Sequence, residues 1–293
     1  MNNKNAFLVV GADSLVGTSL LKAFEFRGHK AFGTTRRKET LSESRLFLDF
    51  ESPEPFVAPP DVSYTFVVAA ATNYERCEKD PQARVINEEL TPRLIANLLG
   101  QGIFVTFIST NSIFGGEVPW PHEESDHDPQ IPYAIQKHEA ENNAWELVKN
   151  LNAEDRFNIV RLTKILDRST PPLPDWFDAW QRREPVTPFA DLIFAPMSVQ
   201  YVGEALATLG EKRIPGELHL SGSKNVNYVT FAEKLAEVTN TSTKLIEPTT
   251  AREKGVNIPY NPQYSGLGME RTTNLSGLKP QTLESVVSDL SKY

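Results

Sequence analysis

The chain has 293 residues, of which 40% are hydrophobic, enough for one large domain or two modest ones. It carries 38 acidic and 30 basic side chains and a formal net charge of -8, and its longest run of cations is Arg36 to Lys38. This charge argues against nucleic acid or a membrane as a partner. The single cysteine, Cys77, excludes an intramolecular disulfide, so we expect a cytoplasmic protein.

Strands and helices alternate along the first half of the chain. The predicted strands are uniformly apolar, which is typical of a parallel sheet covered by helices on both faces. We predict strands over 6–10, 29–34, 45–50, 63–70, 103–109 and 157–162, and helices over 15–26, 81–99 and 133–150. This order predicts an α/β fold with a doubly wound parallel sheet of the Rossmann type.

The composition changes after Leu162, because six prolines fall between positions 171 and 196. Prolines at this density interrupt helices and shape loops. We therefore place one domain over 1–165 and a smaller α/β region over 166–293, with part of 190–210 returning to the first domain. Later predicted elements cover 199–209, 216–220, 230–239 and 283–290.

A glycine-containing turn follows the first predicted strand. Gly11 and Gly17 fit a Gly-x-x-Gly-x-x-Gly pattern in which Ser14 takes the middle place. Such turns bring the backbone and a helix N-terminus close to a pyrophosphate. We expect a dinucleotide here, and an ordinary tight turn is the alternative. The residues predicted to contact it are Gly11, Asp13, Ser14, Leu15, Val16 and Gly17.

The end of the second predicted strand carries Thr35, Arg36 and Arg37 and no acid. An acid at this place accepts a hydrogen bond from a free ribose 2′-OH, whereas arginine pairs with a 2′-phosphate. The sequence therefore favours NADP over NAD. The alternative is that Arg36 and Arg37 are solvated surface cations.

Tyr133 and Lys137 are four residues apart at the start of a helix, so they share one face. An ammonium beside a phenol lowers the phenol pKa, which predicts a proton-transferring pair, and a surface pair is the alternative. Ser109 and Thr110 end a buried strand, at the edge where α/β sheets bind ligands, although such hydroxyls also cap turns. His122 and His127 lack the His-Glu-x-x-His spacing, and no metal site is predicted.

Taken together, these motifs resemble the extended short-chain dehydrogenase/reductase family, most nearly dTDP-4-dehydrorhamnose reductase and related sugar-nucleotide epimerases and dehydratases. The resemblance rests on the turn from Gly11 to Gly17, on the segments 68–81 and 108–116, and on Tyr133 to Lys137. Weaker similarity extends through 189–199 and 269–275. The chain departs from the reductases at Asn111 and Ser112, where they carry an Asp-Tyr pair.

The resemblance implies a role for each matching residue. Thr110 would bind the substrate carbonyl, Tyr133 would donate the proton, and Lys137 would hold the nicotinamide ribose. Further cofactor contacts implied are Thr35, Arg36, Arg37, Asp49, Phe50, Ala69, Ala70, Ala71, Asn87 and Ser109, together with Tyr133 and Lys137. The implied substrate contacts are Thr72, Asn111, Ser112, Trp176 and Arg271.

The function implied is an NADP-dependent oxidoreductase that transfers hydride to or from a carbonyl or alcohol of a sugar nucleotide or related sugar. Two alternatives remain open. One is an epimerase or dehydratase that recycles a bound cofactor, and the other is a non-catalytic regulatory subunit that binds NADP. Dimers among the relatives imply a possible homodimer.

Overall fold

The computed structural model describes residues 5–52 and 54–292. Its first elements follow the prediction closely. The helix α1 begins after Ser14, whose side chain accepts a hydrogen bond from Gly17 N, and ends at Phe26, shortly before Gly28 with φ +71°. These elements are β1 (Ala6–Val10), α1 (Leu15–Phe26), β2 (Ala31–Thr35), β3 (Arg45–Phe47) and β4 (Val62–Val67).

The helix predicted over 81–99 is interrupted. A π-helical turn over Ile86–Leu90 separates two α-helical parts, and a short helix that the sequence does not predict precedes them. The elements of this stretch are α2 (Tyr74–Lys79), α3 (Pro81–Val85), α4 (Thr91–Gly100), β5 (Phe104–Thr110), α5 (Pro132–Asn150) and β6 (Phe157–Leu162).

The second half of the chain contains shorter strands. Its elements are β7 (Lys164–Leu166), α6 (Leu173–Gln181), β8 (Ile193–Phe194), β9 (Pro196–Ser198), α7 (Val199–Lys212), β10 (Gly216–Leu220), β11 (Val226–Asn227), α8 (Tyr228–Val238), α9 (Glu270–Ser276) and α10 (Leu283–Ser291). No helix in the described part of the chain is long and apolar enough to cross a membrane.

Seven parallel strands form the central sheet in the order β3-β2-β1-β4-β5-β6-β10. Alternate residues of β1 serve the two faces: Phe7 and Val9 pack in the core under α1 and α7, and Leu8 and Val10 in the core under α4 and α5. The predicted doubly wound fold is confirmed. The strand order reverses between β1 and β4, which places a ligand crevice at the carboxyl ends of these strands.

The second region is not continuous in sequence. A separate core joins α6, α8 and α10, but β10 pairs with β6 in the central sheet and α7 packs on α1. The close contact with α1 depends on Gly203, where a Cβ would lie 2.5 Å from Ser19 Oγ. The segment 199–220 therefore returns to the first domain, further than the predicted 190–210. The predicted domain limits at residues 1 and 293 lie outside the described residues.

Candidate active site

The turn after β1 is closed by two glycines that tolerate no side chain. Gly11 has φ +89°, and a Cβ there would lie 2.7 Å from Ala69 N. A Cβ on Gly17 would lie 2.3 Å from Gly11 O. These contacts bring the N-terminus of α1 and the exit of β4 together, which is the geometry that a pyrophosphate requires.

Ser14 takes the place of the middle glycine and caps α1. Its hydroxyl donates to Gly11 O at 2.8 Å and accepts from Gly17 N at 3.0 Å. The N–H groups of Leu15 and Val16 begin the helix, where backbone donors have no intrahelical acceptor. The turn therefore keeps donors and a positive helix end for an anion.

The sequence-based statement that no acid stands at the end of β2 is wrong, because the fold brings Asp13 to this place. Its carboxylate accepts a 2.6 Å hydrogen bond from Thr35 Oγ1, is paired with Arg45, and lies 3.8 Å from Arg37 Nε. The Thr35 hydrogen bond is the main cause that holds the pKa of Asp13 below its usual range. Arg36 is exposed.

Arg45 is a residue that the sequence reasoning missed. The register of the sheet places it opposite Gly33, and a Cβ on Gly33 would lie 3.0 Å from Arg45 Nη1. The glycine thus leaves room for the guanidinium beside Asp13. The only signal in the sequence is a glycine in β2, and it becomes informative only once the register with β3 is known.

The predicted adenine and backbone contacts lie along the same crevice. Phe50 is half-buried against the core under α4 and α5, and Asp49 Oδ1 accepts from Glu51 N at 3.2 Å. Ala69 N is bonded to Val10 O, directly beside the glycine turn, and Ala70 and Ala71 follow it. Their small side chains leave space at the carboxyl end of β4.

The structure assigns Asn87 a different role from the predicted cofactor contact. Its Oδ1 accepts from Ala71 N at 2.9 Å, and its Nδ2 donates to Ala71 O at 3.0 Å and to Gln136 Oε1 at 2.9 Å. Because protein partners use both ends of the amide, Asn87 fixes the loop after β4 to α5. It therefore positions Ala71 at the carboxyl end of β4.

The predicted reaction centre lies where β5 meets α5. Thr110 is the last residue of β5, and its hydroxyl lies 3.0 Å from Ser112 Oγ. Tyr133 is the second residue of α5, one turn before Lys137. Lys137 is buried, and its Nζ donates to Ile108 O at 2.8 Å. The fold therefore gathers Thr110, Tyr133 and Lys137 at the carboxyl edge of the sheet.

The pKa of Tyr133 is shifted opposite to the predicted direction. Burial raises it above its usual value, although the Thr110 side chain acts in the other direction. Burial also lowers the pKa of Lys137 to about 7, while Glu141 opposes this shift. The Lys137 ammonium is bonded to the Ile108 carbonyl. The effect of desolvation on the Tyr133 pKa is therefore larger than the effect of the ammonium charge. At neutral pH Tyr133 is protonated and able to donate.

The predicted substrate contacts at Asn111 and Ser112 have structural partners. Asn111 Nδ2 donates to Ser265 O at 2.8 Å and to Ser265 Oγ at 3.1 Å. Ser112 is buried against Thr110. These residues hold the loop around Ser265 over the edge of β5. Thr72 is exposed beside Ala71.

Arg271 is not at the substrate edge. Its Nη1 donates to Glu124 Oε1 at 2.9 Å, and its guanidinium lies against Gly216, the first residue of β10. Leu220, at the other end of β10, is level with Leu162 and hence with Thr110. Gly216 is about 13 Å before that level, at 3.3 Å per residue. The structure therefore does not bring Arg271 together with Thr110, Tyr133 and Lys137.

A cavity of about 520 Å³ opens in the second region, between Trp176 on α6 and Tyr228 at the start of α8. Phe189 and Pro172 also line it, and no lysine or arginine does among the described residues. Trp176, a predicted substrate contact, lies in the wall of this cavity. Tyr74, the first residue of α2, packs on Tyr133 at the reaction centre, with the two ring centroids 5.4 Å apart.

Several features of this edge fit a dinucleotide. Ser109 Oγ is buried and has no hydrogen-bond partner among the described residues, as expected of a group that serves a ligand. The two close-packed glycines and the free helix end follow β1, and the alanines follow the neighbouring strand β4, so all of them lie at one edge of the sheet. No group of three metal-ligating side chains occurs in this part of the chain or elsewhere in the described residues.

The model of the family described as the RmlD substrate binding domain matches residues 5–292. The chain belongs to this RmlD family. Membership confirms the predicted resemblance, and with it the class of NAD(P)-dependent oxidoreductases of the extended short-chain dehydrogenase/reductase type. No curated protein matches the sequence significantly.

Solved structures show the same fold as this RmlD family member. A dTDP-4-dehydrorhamnose reductase from Bacillus anthracis, in complex with NADP, has a TM-score of 0.80 at 19% identity, covering 98% of each chain. MoeE5 in complex with UDP-glucuronic acid and NAD has a TM-score of 0.78 at 20% identity, covering 97% of this chain and 96% of that one. A UDP-glucuronic acid 4-epimerase from Bacillus cereus has a TM-score of 0.79 at 15% identity, covering 98% of each chain.

Proposed function

We propose that the protein reduces the carbonyl group of a sugar nucleotide with NADPH. The observation that carries the proposal is the convergence of Thr110, Tyr133 and Lys137 at the carboxyl edge, next to the glycine turn after β1. Tyr133 is protonated at neutral pH, which is the state that a proton donor to the carbonyl oxygen requires.

The residues divide the chemistry among them. When bound, NADPH supplies the hydride. Thr110 orients the carbonyl by a hydrogen bond, Tyr133 gives its proton to the oxygen, and Lys137 holds the nicotinamide ribose. The Tyr74 ring packs against the Tyr133 ring. The sum is one hydride and one proton added to a carbonyl, which gives a secondary alcohol.

The cavity beside Trp176 supports a nucleotide as part of the substrate. Proline and aromatic side chains make up most of its walls, and its described charged lining is the single acid Asp175, so it suits a flat, uncharged ring such as a nucleobase. In this proposal the sugar lies at Tyr133 and the base of the same ligand lies in this cavity. The structural relatives that carry UDP-sugars favour the same class.

The test of this function is the consumption of NADPH in the presence of a dTDP-4-keto-6-deoxy sugar. We expect one NADPH to be oxidised for each alcohol formed. The loss of the absorbance of the reduced nicotinamide measures this oxidation. Isomerisation of a UDP-sugar without net NADPH oxidation, by protein that carries tightly bound cofactor, would instead identify an epimerase. Binding of NADPH without turnover of either substrate would support the regulatory alternative.

The cofactor preference depends on the charges at the end of β2. Arg37 and Arg45 lie beside one carboxylate, Asp13, and Arg36 is the exposed neighbour of Arg37 in the chain, so this corner keeps a net positive charge that favours a 2′-phosphate. We expect the double variant Arg36→Ala/Arg37→Ala to bind NADPH at least about 10-fold more weakly, since each charge-assisted hydrogen bond contributes about 1.5–3 kcal/mol. NADH binding should change little. Titration of both cofactors checks this, and equal losses would contradict NADP preference.

A further inference from the structure

Lys164 is a cation for which neither the sequence nor the proposed reaction has supplied a role. It is the first residue of β7, two residues after Leu162, which lies opposite Thr110 across the β5–β6 pairing. At about 3.3 Å per residue, Lys164 stands about 7 Å beyond the level of Thr110. It is therefore on the carboxyl side of the sheet, where the substrate must lie.

The backbone of Lys164 is held in place. It pairs with Pro196 of β9, and the preceding Thr163 donates its N–H to Leu220 O and accepts a hydrogen bond from Gly222 N. A Cβ on Gly222 would lie 2.4 Å from Pro196 O, so this junction is tightly packed. Lys164 thus extends from a fixed strand and not from a free loop.

The Lys164 ammonium has no partner of its own. Among the described residues no carboxylate lies within ion-pair distance of it and no hydrogen bond is made by it, although its side chain is exposed to solvent. The surrounding protein lowers its pKa below the usual value, and burial is the sole cause. An exposed ammonium without a protein partner is available for a charge-assisted hydrogen bond to an anionic ligand.

The position of Lys164 falls between the two ends of the proposed substrate. On one side is Thr110; on the other, β7 and β9 lead within a few residues to Pro171 and Leu192, both in the wall of the cavity beside Trp176. In a sugar nucleotide the group between the sugar and the base is a diphosphate. We infer that Lys164 binds the diphosphate of the substrate, and this inference rests on the proposed function.

The experiment compares the binding of dTDP and of thymidine, which lacks the phosphates, to the NADPH-saturated protein by calorimetry. We expect Lys164→Met to weaken dTDP binding by about 10- to 100-fold, the effect of one charge-assisted hydrogen bond. Its thymidine and NADPH affinities should be unchanged. Lys164→Arg should retain most of the dTDP affinity. Lys149→Met, which removes the same charge from the exposed end of α5, is the matched control and should bind dTDP normally.

The outcomes separate the inference from the proposed function. If Lys164→Met binds dTDP like the wild type, Lys164 is no diphosphate contact, and the reductase proposal is unaffected. If wild-type protein saturated with NADPH binds dTDP no better than thymidine, the site has no diphosphate subsite. That result overturns the inference and the sugar-nucleotide assignment together, even where NADPH still binds.

Discussion

Replacing Tyr133 by phenylalanine is expected to lower kcat for carbonyl reduction by about 10²- to 10⁴-fold, the usual contribution of a general acid. The phenol stands at the start of α5, interacts with the Thr110 side chain and is protonated at neutral pH. The phenylalanine ring keeps the packing against Tyr74, whose centroid is 5.4 Å away, so the structure around the cofactor site is retained. NADPH affinity should therefore stay at the wild-type level.

Steady-state kinetics with NADPH and a 4-keto sugar nucleotide would measure this loss, and a fluorescence titration would confirm cofactor binding. Tyr201→Phe is the matched control, because it also removes a phenol hydroxyl. That hydroxyl lies away from the site and donates to Lys279 O at 2.7 Å. Tyr201→Phe should keep its kcat. If Tyr133→Phe turns over near the wild-type rate with NADPH bound, the assigned proton donor is wrong.

The sequence predicts those parts of the site that depend on short-range spacing. The turn from Gly11 to Gly17 and the pair Tyr133 and Lys137 each lie within one loop or one helical turn, so their geometry follows from local rules. The end of β5 at Thr110 is likewise predicted by an apolar strand followed by hydroxyls. The predicted strands 6–10 and 157–162 coincide with β1 and β6.

Features that depend on sheet register are not predictable in this way. Asp13 and Arg45 are 32 residues apart and meet only because β3 pairs with β2 with Arg45 opposite Gly33. The sequence-based view of the β2 end as free of acid therefore failed. The place of Arg271 is not predictable for a related reason, since it follows from how α9 packs on β10.

The direction of the Tyr133 pKa shift shows a second limit. The i, i+4 spacing places Lys137 on the same face, but it does not tell where the ammonium points. In the structure Nζ is bonded to Ile108 O and lies 3.8 Å from the centre of the Phe107 ring, so burial outweighs its charge at the phenol. Competition between charge and desolvation is decided by tertiary packing.

A buried ion pair behind the reaction centre is the last feature that local patterns miss. Arg161 of β6 and Glu141 of α5 are both 3% exposed, with Nη2 and Oε2 2.8 Å apart. Arg161 Nη1 also donates to Glu123 O at 3.0 Å, and Glu141 is one turn after Lys137. The pair therefore ties α5, and with it Tyr133 and Lys137, to the sheet.

Arg161→Met is expected to lower the free energy of unfolding by about 3–5 kcal/mol, because the Glu141 carboxylate is left buried without its partner. Chemical denaturation followed by tryptophan fluorescence measures this. The double variant Arg161→Met/Glu141→Gln should recover part of the loss, since no buried charge then remains unpaired. Arg84→Met is the control, because Arg84 also pairs with a glutamate, Glu88, but its side chain is 68% exposed. This variant should leave the free energy of unfolding nearly unchanged. A loss in Arg161→Met as small as in Arg84→Met would show that water or a shifted side chain already compensates Glu141, and that α5 is held by its apolar contacts alone.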